Sequence, residues 1–231
     1  MAKIEKETKL ITHYLLILDK SSSMSTVQQN TISGFNENIQ TIKKLAKDNL
    51  DQEFYVSLVT FNGEVDYAIW EKPLDEIELI NEKTYSPDGM TALYDAIGLS
   101  ITKLQKDIKE ELESESDSKI VVTIFTDGME NASQECNHEF VANLSEELQK
   151  TEKWMFSYIG ANHDVQKTAK SLNIPMSNTI KYCSSQVGTA SAFASQTEGL
   201  NRYVATRGAG IKDINHLYSD EDKMLDISEE E

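Results

Sequence analysis

The sequence is short of cysteine, of proline and of long apolar runs. Cys136 and Cys183 are its only thiols, too few for a disulfide framework and without the CxxC spacing of a zinc or redox site, so both are read as reduced. Three prolines and ten glycines in 231 residues gather into no linker, and no internal repeat is visible, which argues for one domain. The longest early apolar run, 14–18, stops far short of the roughly 18 residues that cross a bilayer, and no later stretch exceeds it. Residues 1–10 mix Lys and Glu and lack the apolar core and cleavage site of a secretion signal, so the expected setting is cytoplasmic.

Positive charge is the other deficit. Lys and Arg number 22 against 39 Asp and Glu, for a formal net charge of -17. Binding to a phosphate backbone or an anionic membrane needs a basic face, and no Lys/Arg cluster supplies one. Neither a nucleic acid nor a membrane partner is expected. The acids fall partly into two runs. Glu110, Glu111, Glu113, Glu115 and Asp117 form one, read as a solvated loop; Asp220, Glu221, Asp222, Asp226 and Glu229–Glu231 form the other, read as a frayed tail.

Several catalytic patterns are incomplete. His138-Glu139 has Ala142 where a zincin needs its second His, and His13, His163 and His216 show no ligand spacing. Ser100 and Lys103 match Ser-x-x-Lys inside a helical stretch, without the companion motifs. Gly208 and Gly210 make no dinucleotide fingerprint, and there is no phosphate loop.

What is present is an ordinary globular composition, 39% hydrophobic and 26% charged, patterned as alternating strands and helices. Segment 12–19 is a short apolar run suited to a strand buried on both faces. From 26 to 50, Val27, Ile32, Phe35, Ile39, Ile42 and Leu45 recur near a helical period. Segments 54–61 and 65–70 are β-rich and joined by Asn62-Gly63-Glu64, a hairpin signal that makes the second strand antiparallel at a sheet edge. A connection follows, with one helical turn, and then a helix over 92–112. Segment 119–126 is the most β-branched run, the mark of a central strand. A helix through Phe140, Leu144 and Leu148, a strand over 154–160, a helix over 165–172, a weak strand over 178–182 and a helix over 185–205 complete the pattern. The expected fold is α/β: a doubly wound, mostly parallel sheet with one antiparallel edge strand and helices on both faces. In such sheets ligands sit outside the carboxyl ends of the strands, where strand order reverses, which singles out the loops after Leu18, Thr126 and Ile159.

Those loops carry oxygen donors. Asp19-Lys20-Ser21-Ser22-Ser23 follows the first strand, Asp127-Gly128 follows the central strand, and Gly89-Met90-Thr91 precedes the second long helix. Asp19, Ser21, Ser23, Thr91 and Asp127 thus reach one sheet edge from three loops. Hard oxygens, several of them neutral hydroxyls, suit Mg²⁺ or Mn²⁺, and an ion so held stays under-neutralised and attracts an external anion. The plainer alternative is that Asp19, Ser21 and Ser23 cap the next helix, which leaves Thr91 and Asp127 unexplained. Met129, Glu130, Asn131, Asn162, His163 and Asp164 border the same edge as a partner-binding rim, with Asp164 equally suited to capping the helix that follows it.

Asp-x-Ser-x-Ser at 19–23, the distant Thr91 behind Gly89-Met90, and Thr126-Asp127-Gly128 together resemble the metal-ion-dependent adhesion site (MIDAS) of the von Willebrand factor type A (vWA) domain. The similarity covers roughly 12–206, leaving 1–11 as an N-terminal extension and 207–231 as an acidic tail. The resemblance implies that Ser21 and Ser23 bind Mg²⁺ or Mn²⁺ directly, Thr91 directly or through water, and Asp19 and Asp127 mainly through water. It further implies that a protein partner supplies a carboxylate as the remaining ligand. The function it implies is a non-enzymatic, cation-dependent binding module, an intracellular assembly or regulatory factor. The competing expectation is a Mg²⁺-dependent phosphohydrolase, but such enzymes resemble Asp-x-Asp where this chain has Ser21.

Overall fold

Leu10–Asp19 (β1) is buried from Thr12 onward, and its period-two alternation divides the core. Tyr14, Leu16 and Leu18 face one cluster, while Leu15 and Ile17 face the other. The computed structural model describes residues 9–223 other than 115, 163, 212, 213 and 215. Five more strands join β1: Gln52–Phe61 (β2), Val65–Pro73 (β3), Asp117–Thr126 (β4), Trp154–Gly160 (β5) and Thr179–Lys181 (β6). Their order is β3-β2-β1-β4-β5-β6. All neighbours are parallel except β2 and β3, whose antiparallel pairing follows the turn at 62–64, closed by Asn62 N donating to Glu64 O at 3.0 Å.

Helices cover both faces. Gln28–Asp48 (α1) and Gln186–Gly208 (α6) lie on the Leu16 side, joining Phe35, Ile39, Phe193 and Leu200 into its core. They pack closely because Gly34 has no side chain; a Cβ there would meet the Phe193 ring at 2.4 Å. Leu93–Asp107 (α2), Lys109–Leu112 (α3), His138–Gln149 (α4) and Val165–Ser171 (α5) come next in the chain, and α2, α4 and α5 bury Ile97, Ile101, Val141, Val165 and Ala169 on the Ile17 side. Asp220–Lys223 (α7) is a last short turn. Among the described residues no helix is long and apolar enough to cross a membrane.

Two differences from the sequence reading concern the acids. The stretch expected as one helix over 92–112 breaks at Ile108, which stays buried while Glu111 turns to His13. The first acidic run is therefore not simply solvated: Glu111 Oε1 sits 2.8 Å from His13 Nε2, and Asp117 accepts from the buried Arg207 at 2.9 Å. The C-terminal segment, with its acids from Asp220 onward read as a frayed tail, docks over part of its described length. Leu217 and Tyr218 are buried, and Asp222 pairs with Arg202; Asp226 and Glu229–Glu231 lie outside the described residues.

His13 is gripped from both sides. Its Nδ1 lies 2.7 Å from Glu71 Oε2, its ring stacks on Tyr55, and Ser57 Oγ donates to Glu71 Oε1 at 2.9 Å. Burial opposes the imidazolium, but hydrogen bonds and charge from Glu71 and Glu111 outweigh it and hold the pKa above 6.5. A folded-state pKa above the unfolded one gives stability that is fully present below about pH 6.5 and lost as pH rises through the raised folded value. His13→Gln should thus destabilise by about 2 kcal/mol at pH 6, and by clearly less at pH 9, as read from urea midpoints. An equal loss at both pH values would show that the imidazolium contributes nothing.

Candidate functional site

Strand order reverses between β1 and β4, so the loops leaving Asp19 and Thr126 diverge to opposite faces, the place where such sheets hold ligands. Asp19 is fully buried there. Its Oδ1 accepts from Ser21 N at 2.7 Å and its Oδ2 from Thr126 Oγ1 at 2.5 Å, while Tyr85 OH donates to its carbonyl at 2.6 Å. Ser21 Oγ and Ser23 Oγ lie 3.1 Å apart, and Ser23 Oγ donates to Asp127 Oδ1 at 2.5 Å. No side-chain cap is made at the start of the 3₁₀ turn Ser22–Val27 or of α1, so the capping alternative does not describe the geometry; both hydroxyls turn to the site.

Thr91 arrives from the loop before α2. Its N–H donates to Asn131 Oδ1 at 2.8 Å and its carbonyl accepts from Asn131 N at 3.0 Å, which locks this loop to the one after β4. Gly128 makes the approach possible: a Cβ there would sit 3.0 Å from Thr91 Oγ1 and 3.4 Å from Asp19 Oδ2. Asp19, Ser21, Ser23, Thr91 and Asp127 are therefore gathered at one edge. All but Ser23 are nearly or fully buried.

The electrostatics are those of concentrated negative charge. Burial pushes the Asp19 carboxyl up to about 6, opposed by hydrogen bonds from Thr126 and Ser21 and reinforced by Asp127. Tyr85 and Tyr182, buried beside the site, are raised well above the usual phenol range, chiefly by burial, with Asp19 and Asp127 adding to the effect. The Tyr182 hydroxyl is buried with no hydrogen-bond partner among the described residues. No group of three or more His, Cys, Asp or Glu side chains is arranged to hold a metal ion among the described residues; the oxygens here are mainly hydroxyls.

The rim residues divide. Met129 is 69% exposed, whereas Glu130 turns inward, accepting from the backbone N–H of Tyr94, Ala132 and Ser133 and from Ser133 Oγ. Asn131 serves the Thr91 clamp. Asn162 is exposed with φ 58°, Asp164 caps α5 by accepting from Lys167 N at 3.1 Å, and His163 lies outside the described residues. One site neighbour escaped the sequence reading, and Thr126, there quoted only within its motif, takes a role of its own. Ser184, in the loop from β6 to α6, donates to Asp127 Oδ2 at 3.0 Å, and Thr126 fixes Asp19. The rule that ligands gather at strand carboxyl ends, extended to the loop after β6, points to Ser184.

No family model matches the sequence, and no curated protein matches it. Solved structures do match in fold. The PilB minor pilin from Streptococcus sanguinis aligns with a TM-score of 0.56 at 15% identity, over 88% of this chain and 64% of that one. The ArnB paralog VWA2 from Sulfolobus acidocaldarius aligns with a TM-score of 0.50 at 15% identity, over 83% of this chain and 46% of that one. The fold is vWA-like. The chain spans less than two thirds of the length of either neighbour, and at this identity the likeness concerns the fold. A cavity of about 560 Å³ lies at the other end of the sheet, lined by Leu10, Asp117, Trp154, Tyr203 and Arg207. The Arg207 guanidinium is engaged there by Ile11 O, Thr12 and Asp117.

Proposed function

We propose that the chain is a vWA domain whose MIDAS binds Mg²⁺ or Mn²⁺ and, through it, a carboxylate of a protein partner. One observation carries this reading: Asp19 and Asp127 are buried side by side, and among the described residues only neutral donors contact their oxygens. Buried charges are ordinarily paired or coordinate a metal, because desolvation otherwise penalises them heavily. The donor set fits the group. Ser21, Ser23 and Thr91 would hold the ion, with Asp19 and Asp127 supplying compensating charge, and hard oxygens of this kind suit Mg²⁺ or Mn²⁺.

A bound ion would supply positive charge that two carboxylates among neutral hydroxyls leave open to an external anion. The chain's own residues pre-position the donors. Thr126 holds Asp19, Ser184 holds Asp127, and Asn131 holds the Thr91 backbone, so little rearrangement is needed when ligands arrive. The reading is non-enzymatic, since Ser21 stands where an Asp-x-Asp phosphohydrolase resembling this loop would place its acid. A role as an assembly or regulatory factor rests on the resemblance, and a reducing, cytoplasmic setting is supported by the two free thiols.

Mn²⁺ titration followed by electron paramagnetic resonance tests the assignment, because the signal of the free ion falls as it binds. The parent should remove about one equivalent, and Ser23→Ala with Asp127→Asn should weaken binding at least about tenfold. Undiminished binding by that variant would place the ion elsewhere. An aryl-phosphate assay should give no turnover above a metal-only blank; turnover abolished by Asp19→Asn would favour the phosphohydrolase instead.

A further inference from the structure

Three large apolar side chains are exposed on the loops that carry the site. Met90, next to Thr91, is 59% exposed, Met129 two residues past Asp127 is 69% exposed, and Val187 three residues past Ser184 is 75% exposed. Eight large hydrophobic side chains are exposed among the described residues, so three of the eight stand beside site residues. The loops bearing the two methionines touch, through the paired Asn131 and Thr91 hydrogen bonds and the close approach of Gly128 to Thr91. Neither methionine belongs to the two core clusters, so packing does not account for them.

The charge around this rim is unfavourable to further acids. Asp88 is exposed two residues before Met90, and Asp164 is exposed on the loop after β5. Lys20, the cation adjacent to Asp19, lies 3.4 Å from Asp66. With the chain at a formal net charge of -17, a second or third carboxylate on a ligand would meet net repulsion, although Lys181 is exposed at the end of β6.

We propose that Met90, Met129 and Val187 select a protein partner whose site-binding carboxylate stands alone between apolar side chains, and discriminate against a run of acids. The inference rests on the metal-dependent reading above and specifies its partner. Thioether side chains are flexible and polarisable and adapt to neighbours of varied shape, so the contact favours apolar flanks in general. Burial of those flanks adds affinity, while the surrounding acids subtract it from polyacidic competitors.

The test uses two fluorescent peptides of equal length, one with a single Asp between leucines and one with the same Asp between glutamates, read by anisotropy in Mg²⁺ and in EDTA. The parent in Mg²⁺ should bind the leucine-flanked peptide about tenfold more tightly. A Met90→Gln, Met129→Gln variant should bring the two within about threefold while keeping the parent's Mg²⁺-induced rise in melting temperature. Equal affinities in the parent, a preference unchanged in the variant, or no binding of either peptide overturns the proposal, and the metal reading stands if the Mg²⁺ response persists. A preference that survives in EDTA removes the metal from recognition and overturns both readings. Absence of any Mg²⁺ response in the parent refutes the metal reading itself.

Discussion

Saturating Mg²⁺ or Mn²⁺ should raise the melting temperature of the parent chain by about 5–10 °C. An ion that binds only the folded state stabilises it by RT ln(1 + [L]/Kd), about 2.7 kcal/mol at a hundredfold excess over Kd. For a domain of this size each kcal/mol moves the midpoint by about 2–4 °C. The ion would also relieve the desolvation of the buried Asp19 carboxylate, to which the charge of Asp127 adds. Ser21→Ala with Ser23→Ala removes two hydroxyls that bond each other and Asp127. That variant should lose most of the response. Its own metal-free stability should fall by about 1–3 kcal/mol from the lost bond to Asp127, so the shift is compared within each protein. Equal shifts in parent and variant would remove the ion from these residues.

Tyr218→Ala should be the most destabilising single change in the C-terminal segment. Tyr218 is 2% exposed, its hydroxyl lies 2.6 Å from Ser157 Oγ on β5, and its ring fits against α6 at Gly199, where a Cβ would come within 3.0 Å of it. Truncating a buried aromatic costs about 3–5 kcal/mol, which at this chain length lowers the melting temperature by roughly 6–20 °C. The loss also leaves the buried Ser157 hydroxyl without this partner. A calorimetric scan reads the effect, and Tyr218→Phe, which keeps the ring, should recover most of it. A loss below about 1 kcal/mol for Tyr218→Ala would show that the segment does not contribute to the fold.

Local patterns carried most of the architecture. Buried strands betray themselves as apolar, β-branched runs, so β1, β4 and β5 were legible to within a few residues, and β5 at both ends. Asn62-Gly63 specified the antiparallel edge because the turn chemistry is local to those residues. That Asp19, Ser21, Ser23 and Asp127 gather at one edge was legible too, since each follows a recognisable strand and parallel strands deliver their carboxyl ends to one edge.

Side-chain partners far apart in sequence were not legible. Nothing near Glu111 announces His13, 98 residues away, and nothing near Tyr218 announces Ser157, 61 residues away. Such acids and termini look solvated until the packing of β3, α3 and α6 brings their partners to them. Ser184 was missed because only the loops after Leu18, Thr126 and Ile159 were singled out, and it is the pairing of β6 with β5 that carries the loop after β6 to the same edge. The sequence by itself determined the alternation of elements, the sheet edge and the residues that gather there, because period, turn chemistry and strand ends are local properties. The tertiary structure alone decided which carboxylates are buried, which acids are paired and which methionines face solvent, because burial and pairing depend on what other segments place alongside.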